Sequence, residues 1–313
     1  MISSKNTALG SKLEQIHKPV LVKEVLEGLA PKAGGIYLDA TLGLGGHTKA
    51  LLEEHPEIER VIALDWDEEA LELAKERLAP FEDKISFYHS NFKNMELVLS
   101  EEGVDAVDGI IMDLGLSSFQ LDESGRGFSF MRDEPLDMRM DRTTTVMASD
   151  MVNKLPEERL AELIQLYGEE SWAKKIAAAI VARRKERPIF STLELATIVK
   201  EAIPRRFHPR KIHPATKTFQ AIRIAINREF ENLTQALEIA TKILRPGGRV
   251  CVISFHSLED RIVKRFFKSS NQLRILTKKP LRPTEAEVMN NPRSRSAKLR
   301  VAEKKAQEME VTK

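Results

Sequence analysis

Short apolar runs alternate with amphipathic stretches along the first third of the chain. Helical periodicity covers residues 22–29 and 68–78, with Asp67 as the expected N-cap of the second helix. Four apolar runs predict buried strands, at residues 35–40, 61–64, 85–89 and 108–112. Strands that alternate with helices predict an α/β fold with a parallel, doubly wound sheet, in which ligands bind at the carboxyl ends of the strands.

The middle of the chain has helical periodicity without an intervening strand. Apolar stripes at residues 160–167 and 176–181 predict two helices, and Ser191 with Glu194 forms a capping box that predicts the start of a third. The stripes are expected to pack in a core. We therefore predict that residues 118–214 form an all-helical domain inserted in the sheet.

The last third of the chain returns to the sheet pattern. One long helix is predicted over residues 219–244, a fifth strand over 249–255 and a further helix over 258–268. Segments at 273–276 and 297–301 predict an edge hairpin. The predicted organisation is a flexible tail at residues 1–16, a discontinuous sheet domain at 17–117 and 215–302, the helical insert at 118–214 and a flexible tail at 303–313.

Charged residues are frequent but nearly balanced, since the 313-residue chain has 49 Lys and Arg against 47 Asp and Glu, with a net charge of +2. Any attraction to nucleic acid must therefore come from local clusters. The single cysteine, Cys251, excludes an internal disulfide and a thiolate zinc site, so we expect no metal and a reducing, cytoplasmic compartment. The N-terminus lacks the apolar core of a signal peptide, and no apolar run reaches membrane-spanning length, so no membrane partner is expected.

The turn after the first strand is rich in glycine, with Gly43, Gly45 and Gly46. Because glycine has no Cβ, it lets a ligand approach the main chain. A dinucleotide fingerprint would need glycine where the chain has Thr48, so an NAD-dependent oxidoreductase is the weakest alternative. The paired glycines suit a nucleoside ligand without phosphates, such as S-adenosylmethionine, whose ribose hydroxyls could donate to Asp65 at the next strand end. A glycine-rich loop that binds nothing is the simpler alternative.

Several residues suited to ligand binding fall at the predicted carboxyl ends of strands. They are Gly45, Asp65, Phe92 and Asp113. Because each loop is identified independently, their convergence on one edge of the sheet carries more weight than any single motif. His256 follows the fifth strand and is weighed evenly between a substrate contact and a hydrogen bond that fixes the loop.

An unusually long loop, residues 114–141, follows the fourth predicted strand and is rich in glycine, arginine and aromatic residues. Loops of this length inside a compact domain are usually functional, and an irregular surface excursion is the alternative.

Basic residues cluster at 204–214, with Lys217 shortly after, and this cluster contains Phe207 and no acid. Such a cluster suits a phosphate backbone, although a solvated surface is the commoner reason for a run of charge. A second basic patch comprises Arg293, Arg295, Lys298 and Arg300.

Seven motifs occur in an order that is far more specific than a glycine turn. They lie at residues 17–21, 43–47, 113–120, 127–130, 135–141, 215–223 and 253–261. With these motifs the chain resembles the MraW family of bacterial ribosomal RNA small-subunit methyltransferases. The resemblance extends from the first helix almost to the C-terminus.

The resemblance implies a fold, a reaction and a cofactor. The expected fold is a class I, Rossmann-like methyltransferase sheet with an inserted helical domain. The expected reaction is transfer of a methyl group from S-adenosylmethionine to the N4 amine of a cytidine in the decoding region of 16S rRNA, within the small ribosomal subunit or an assembly intermediate. The implied cofactor contacts are Gly45, Gly46, His47, Asp65, Phe92, Asp113 and Gln120, of which His47 and Gln120 rest on the resemblance alone.

The exocyclic amine of cytosine is a poor nucleophile because its lone pair is delocalised into the ring. An enzyme must orient the amine and accept hydrogen bonds from its N–H groups. Asp113 could perform this task or bind the cofactor, and the sequence leaves the two roles open. Methylation at C5 instead would need a cysteine nucleophile, and the mid-strand position predicted for Cys251 argues against it.

Further residues are candidates for substrate contact. A target base must be unstacked to reach the pocket, so Phe128 and Phe130 could stack on it, although packing within their own domain is at least as probable a role. Other candidate substrate contacts are Asp137, Lys217 and His256, and the candidate phosphate contacts are Arg205, Arg206, Arg210 and Lys211.

Two other functions stay open at this stage. The first is a methyltransferase for a small molecule or a protein, which the sheet alone does not exclude. The second is a non-catalytic RNA-binding or assembly factor with a relic cofactor site, and the presence of Asp65, Asp113 and both glycines argues against it.

Overall fold

The computed structural model describes residues 18–306, so His17 and the predicted tail at 1–16 lie outside them. The chain divides into two compact units, one formed by the residues up to Ser117 and from Phe230 onward, the other by Ser118–Glu229. The second unit begins where we predicted the insert to begin. It ends at Glu229 instead of residue 214, because the helix over Thr216–Asn227 packs on another helix of that unit.

The first unit contains a seven-stranded sheet in the order β3-β2-β1-β4-β5-β7-β6. The strands are β1 (Ile36–Asp39), β2 (Arg60–Asp65), β3 (Ile85–His89), β4 (Val107–Asp113), β5 (Leu244–Ser254), β6 (Leu273–Ile275) and β7 (Lys298–Lys304). The first five are parallel, and β7 is antiparallel to both of its neighbours. The prediction of a doubly wound α/β sheet is therefore confirmed.

Helices cover both faces of this sheet. They are α1 (Val22–Leu29), α2 (Gly46–Glu54), α3 (Glu68–Leu78), α4 (Met95–Glu101), α11 (Glu229–Ile243), α12 (Ser257–Ser269) and α13 (Glu285–Asn290). Apolar residues of α4, α11 and α12 form one core cluster with the sheet, and those of α1, α2 and α3 form the other. Burial of apolar side chains on both faces explains why the strands are almost uninterrupted apolar runs. Within residues 18–306, no helix has the length and apolar content needed to cross a membrane.

The predicted edge hairpin is confirmed, with one difference in its extent. β6 and β7 pair antiparallel, but β7 also pairs with β5 along Arg249–Ser254, so it lies inside the sheet. β7 continues to Lys304, two residues into the tail that we predicted from residue 303. Glu303 pairs with both β5 and β6, and Lys304 pairs with β6, which holds these residues in the sheet.

Cys251 occupies the middle of β5 and is fully buried. Its Sγ lies 3.7 Å from the carbonyl oxygen of Val25 on α1. Burial raises the pKa of the Cys251 thiol, which therefore stays protonated at neutral pH. The prediction that this cysteine is a small buried hydrophobe is confirmed.

The second unit is helical and has an irregular segment from residue 123 to 147. Its helices are α5 (Ser118–Asp122), α6 (Ala148–Lys154), α7 (Glu157–Gly168), α8 (Ala173–Glu186), α9 (Thr192–Ala202) and α10 (Thr216–Asn227). The two helices predicted from apolar stripes are α7 and α8, the one predicted from its capping residues is α9, and all three are confirmed. Ser191 accepts a hydrogen bond from the Glu194 N–H at 3.3 Å and so caps α9.

The single long helix predicted over residues 219–244 is wrong, because the helix breaks at Arg228. Arg228 has a left-handed backbone with φ of 50°, which ends α10 before α11 begins. Asn227 stabilises the break, since its Oδ1 accepts from the Met140 N–H and its Nδ2 donates to the Met138 carbonyl, both at 2.8 Å. The apolar periodicity of the sequence continues through Arg228, so it gave no indication of the helix break or of the hydrogen bonds to Met138 and Met140.

Candidate active site

The glycine turn between β1 and α2 requires glycine for steric reasons. Gly45 has a φ of 74°, and a Cβ at this position would lie 2.6 Å from Leu78 Cδ1. A Cβ on Gly46 would lie 2.8 Å from the Cβ of Pro19. Both glycines therefore permit close packing around the N-terminus of α2, where backbone N–H groups have no partner within the helix.

Asp39, the last residue of β1, is hydrogen-bonded to the glycine turn and to α2. Its Oδ2 accepts from Thr48 Oγ1 at 2.7 Å and its Oδ1 from the Thr41 N–H at 3.2 Å. Burial raises the pKa of Asp39, while the hydrogen bond from Thr48 opposes that change. The carboxylate thus links the strand end to the first turn of α2. We infer a structural role for it.

Asp65 ends β2 and faces the same turn. Its Oδ2 accepts from the Gly43 N–H at 2.7 Å and its Oδ1 from the Asp67 N–H at 2.8 Å. Burial raises the pKa of Asp65 to about 7 in spite of these two donors. Each carboxylate oxygen has a further lone pair, so the ionised group can also accept from two ribose hydroxyls.

This pKa predicts that cofactor binding depends on pH. The ionised form of Asp65 falls from the dominant to the minor species as the pH drops through about 7. A proton on Asp65 would occupy an acceptor position that a ribose hydroxyl needs. We therefore expect the Kd for S-adenosylmethionine, measured by calorimetry, to be about tenfold weaker at pH 6 than at pH 8.

The control for this experiment is Asp65→Asn, which cannot ionise. It should bind the cofactor weakly at both pH values and show little pH dependence. A wild-type Kd that is the same at pH 6 and pH 8 would contradict the assignment of Asp65 to the ribose.

Phe92 lies beside Asp65, at the end of β3, and is buried. Its ring packs against Trp66 with the centroids 5.7 Å apart and the planes at 48°. Two aromatic rings next to a carboxylate that can accept from hydroxyl groups suit a purine nucleoside. Trp66 was not among the predicted site residues, although its position directly after Asp65 at a strand end was a usable signal.

Buried His47 and partly buried Asp113 form a pair across the turn. His47 is on α2, and its Nε2 lies 3.5 Å from Asp113 Oδ2, within ion-pair distance but without hydrogen-bond geometry. Burial lowers the pKa of His47, but the interactions with Asp113 and Asp39 outweigh it, so the net pKa is raised. The pair therefore favours an imidazolium next to a carboxylate.

Several polar atoms of this pair lack a hydrogen-bond partner among the described residues. They are both ring nitrogens of His47 and Oδ1 of Asp113, all buried. Unsatisfied buried polar atoms are costly, so their presence at a strand end indicates a site that a polar ligand completes. The backbone N–H of Asp113 is held by Thr41 Oγ1 at 2.6 Å, a contact that the sequence analysis also missed.

His256 caps a helix in the first unit. Its Nδ1 accepts from the Glu259 N–H at 3.3 Å, and Glu259 Oε2 accepts in return from the N–H groups of Phe255 and His256. This is a capping box at the start of α12. The geometry favours the hydrogen bond that fixes the loop, and the substrate contact stays a prediction.

The remaining candidates belong to the helical unit, where two of them have local ionic or polar partners. Asp137 pairs with Arg139 through contacts of 2.6 and 2.9 Å. Lys217 Nζ donates to the carbonyl of Glu169 at the end of α7, at 2.9 Å. Gln120 lies buried on α5. For these residues the roles in ligand binding stay predictions.

The two candidate stacking rings differ in exposure. Phe128 is buried and lies under the guanidinium of Arg126, 5.5 Å from the ring centroid. Phe130 is partly exposed, and its centroid lies 4.8 Å from those of His213 and Phe219. Phe130 also lines a pocket of about 260 Å³ with residues of α9. Phe130 is thus the better placed of the two for a base.

The chain was compared with known proteins. A family model described as the MraW methylase family matches residues 14–305. The protein named "Ribosomal RNA small subunit methyltransferase H" of Desulfotalea psychrophila is 51% identical over 291 residues, covering 93% of this chain and 99% of that protein. A protein with the same name from Geobacter sulfurreducens is 50% identical over 306 residues, covering 92% and 98%. A solved rRNA methylase from Streptococcus thermophilus aligns with a TM-score of 0.45 and 12% identity, over 93% of this chain and 99% of that one.

Proposed function

This chain belongs to the MraW methylase family, and from that membership we propose that it methylates the exocyclic N4 amine of a cytidine in the decoding region of 16S rRNA. It is a methyltransferase that uses S-adenosylmethionine. Support for the rRNA substrate comes from relatives of about half-identical sequence that are named small-subunit rRNA methyltransferases. The structural observation that carries the proposal is the His47–Asp113 pair beside the glycine turn, whose buried polar atoms have no hydrogen-bond partner among residues 18–306.

The residues of the first unit fit the cofactor. Gly45 and Gly46 allow Leu78 and Pro19 to pack closely on the turn that begins α2. Asp65 can accept from the ribose, and Trp66 with Phe92 offers aromatic surface to the adenine. When bound, S-adenosylmethionine supplies an electrophilic methyl group on a positively charged sulfur. The side chains around it have to orient the acceptor amine and exclude water.

Asp113 is the residue best suited to act on the amine. The amine nitrogen must pyramidalise and gain positive charge as it reacts, so its N–H groups become stronger donors. Asp113 Oδ1 is a buried acceptor without a partner among residues 18–306, and its Oδ2 faces His47. We propose that Oδ1 accepts a hydrogen bond from the amine, while the contact between His47 and Oδ2 orients the side chain of Asp113.

The helical unit offers a basic surface for RNA. His208 Nε2 lies 2.8 Å from the carbonyl oxygen of Ile203, which anchors the basic segment at the end of α9. Phe207 packs on Trp172 with centroids 5.0 Å apart, and the Arg206 guanidinium lies 4.9 Å above the Phe207 ring. These contacts hold the segment in place. We propose that four exposed cations of the segment contact phosphates: Arg205, Arg206, Arg210 and Lys211.

We also propose that Phe130 stacks on an unpaired base. Its exposed edge opens into the pocket lined by Lys200 and His213, and His213 Nδ1 accepts from the Ala215 N–H at 3.1 Å. Burial lowers the pKa of His213, with Lys200 and His208 adding to the effect, so the ring is neutral near pH 7. A neutral aromatic surface next to a lysine suits a nucleotide.

The test is methyl transfer from labelled S-adenosylmethionine to small ribosomal subunits that lack this modification, followed by identification of the labelled nucleoside. We expect N4-methylcytidine from the wild-type protein. Label in C5-methylcytidine, in protein, or in no product would contradict the proposal. The natural substrate, a small subunit or its assembly intermediate, is proposed to be met in the cytoplasm, because ribosomes are assembled there in bacteria.

A further inference from the structure

The chain between β6 and β7 makes a long excursion, residues 276–297, here termed the C-terminal arm. The arm is tied to β7, because Leu281 and Leu299 exchange two backbone hydrogen bonds of 2.9 Å. Near its other end, Ser294 is fully buried and its Oγ donates to the Asn291 carbonyl at 2.8 Å. The arm is therefore an ordered part of the first unit.

The C-terminal arm lies next to the glycine turn of the cofactor site. Glu287 Oε1 accepts from the Leu21 N–H at 2.8 Å, and Asn291 Nδ2 donates to the Lys18 carbonyl at 3.0 Å. Between those two contacts, Pro19 packs so closely on Gly46 that a Cβ there would lie 2.8 Å from Pro19 Cβ. The arm is thus linked to the turn that begins α2 through residues 18–21, which are hydrogen-bonded to the arm and pack on Gly46.

The C-terminal arm presents a surplus of exposed positive charge. Its cations are Lys278, Lys279, Arg282, Arg293 and Arg295, and all five are exposed. Within residues 18–306, the side chains of Lys278, Lys279, Arg282 and Arg295 have no hydrogen-bond or ion-pair partner. The arm has only two acids, Glu285 and Glu287, and Glu287 is engaged with Leu21.

The other two cations of the basic patch predicted from the sequence, Lys298 and Arg300, have a different role. Lys298 Nζ lies 3.5 Å from Asp260 Oδ2, and Arg300 Nε donates to Asp260 Oδ1 at 2.7 Å. These two cations anchor β7 to α12 and are compensated there. The uncompensated charge is therefore concentrated on the arm itself.

We propose that the C-terminal arm is a contact surface for the phosphate backbone of the RNA substrate, an inference that rests on the proposed function. Exposed cations without carboxylate partners attract polyanions and release counterions when they bind them. The arm contains no aromatic residue and no histidine, so it has no ring on which a base could stack. It therefore positions the RNA next to the cofactor turn without reading the sequence.

The test compares two double variants with the same change in net charge. Lys278→Gln/Arg282→Gln removes two arm cations. The control, Lys23→Gln/Lys75→Gln, removes two surface lysines of the same unit that pair with Glu27 and Glu72. Binding of a labelled small-subunit rRNA fragment and of an unrelated RNA of equal length is measured by fluorescence anisotropy at several salt concentrations.

We expect the arm variant to bind both RNAs about tenfold more weakly near 0.1 M salt, with a log–log salt slope reduced by about two. Its Kd for S-adenosylmethionine should equal that of the wild type, since no cofactor-contacting residue is changed. The control should bind RNA within about twofold of the wild type, because its lysines are already compensated.

Unchanged RNA binding in the arm variant, or an equal loss of RNA binding in the control, would overturn the inference. Binding to vesicles containing phosphatidylglycerol is measured in parallel. If the arm variant lost vesicle binding and kept RNA binding, the arm would be assigned to a lipid surface. Failure of the proposed function is seen separately. If wild-type protein binds RNA through the arm but transfers no methyl group to the subunits, the contact surface stands and the proposed reaction falls.

Discussion

Alanine in place of Asp113 is expected to lower kcat for methyl transfer by about 10²–10⁴-fold at saturating S-adenosylmethionine. The variant removes the buried acceptor Oδ1 and the only carboxylate within 4 Å of His47 among the described residues. The turn itself should persist, because the contact from residue 113 to Thr41 Oγ1 uses the backbone N–H. The measurement is single-turnover methyl transfer to undermodified small subunits.

The Kd for the cofactor separates the two roles of Asp113 that the sequence left open. If Asp113 orients the amine, kcat falls while the Kd for S-adenosylmethionine changes little. If it binds only the cofactor, the Kd rises and kcat recovers at saturation. Asp113→Asn keeps the shape of the side chain but removes its charge, and so reports on the ionic contact with His47.

Asp108→Ala is the matched control, because Asp108 lies at the opposite end of β4. Its Oδ2 accepts from the Ile36 N–H at 3.0 Å and forms an ion pair with Arg245. This variant should lose stability and retain kcat. A kcat for Asp113→Ala within about threefold of that of the wild type would remove Asp113 from the chemistry.

Alanine in place of Gly127 is expected to destabilise the helical unit by about 3 kcal/mol or more. Gly127 has a φ of 73°, and a Cβ there would lie 2.3 Å from the carbonyl oxygen of Pro135, which is backbone and cannot rotate away. The segment that contains Pro135 is held firmly, because the neighbouring Glu134 and Thr192 exchange hydrogen bonds of 3.0 Å. Urea denaturation followed by far-ultraviolet circular dichroism measures the loss.

Gly125→Ala is the control for the backbone component of this effect. Gly125 has a similar φ of 63°, but a Cβ there would meet no atom within 4 Å. We expect it to cost about 1–2 kcal/mol from the left-handed backbone alone. If the two variants had equal stability, the contact with Pro135 would contribute nothing.

The sheet was predictable because its strands are buried on both faces. Continuous apolar runs identified β1 to β4, and the capping residues Asp67 and Ser191 marked two helix starts. These signals are local, and local geometry determines them. The prediction of one long helix over residues 219–244 failed because the helix break depends on contacts that are distant in the sequence. Asn227 is held there by backbone groups of Met138 and Met140.

In the candidate site, too, some residues could be predicted from the sequence and others could not. Residues at strand ends, Asp65, Phe92 and Asp113, were found from the sequence because topology alone brings the carboxyl ends of parallel strands to one edge. The supporting groups Thr41 and Trp66 were not found. Their roles depend on side-chain contacts between loops that no single-chain pattern encodes.

The sequence by itself determined the α/β class and, through its motifs, the family, and it predicted the edge of the sheet that carries the candidate site. Only the tertiary structure decided which charges are compensated and which polar atoms lack partners. Lys298 and Arg300 looked equivalent to Arg295 in the sequence, yet they are paired with Asp260 while Arg295 is exposed. The physical reason is that burial and ion pairing depend on three-dimensional neighbours, whereas strand and helix patterns depend on residues close together in the chain.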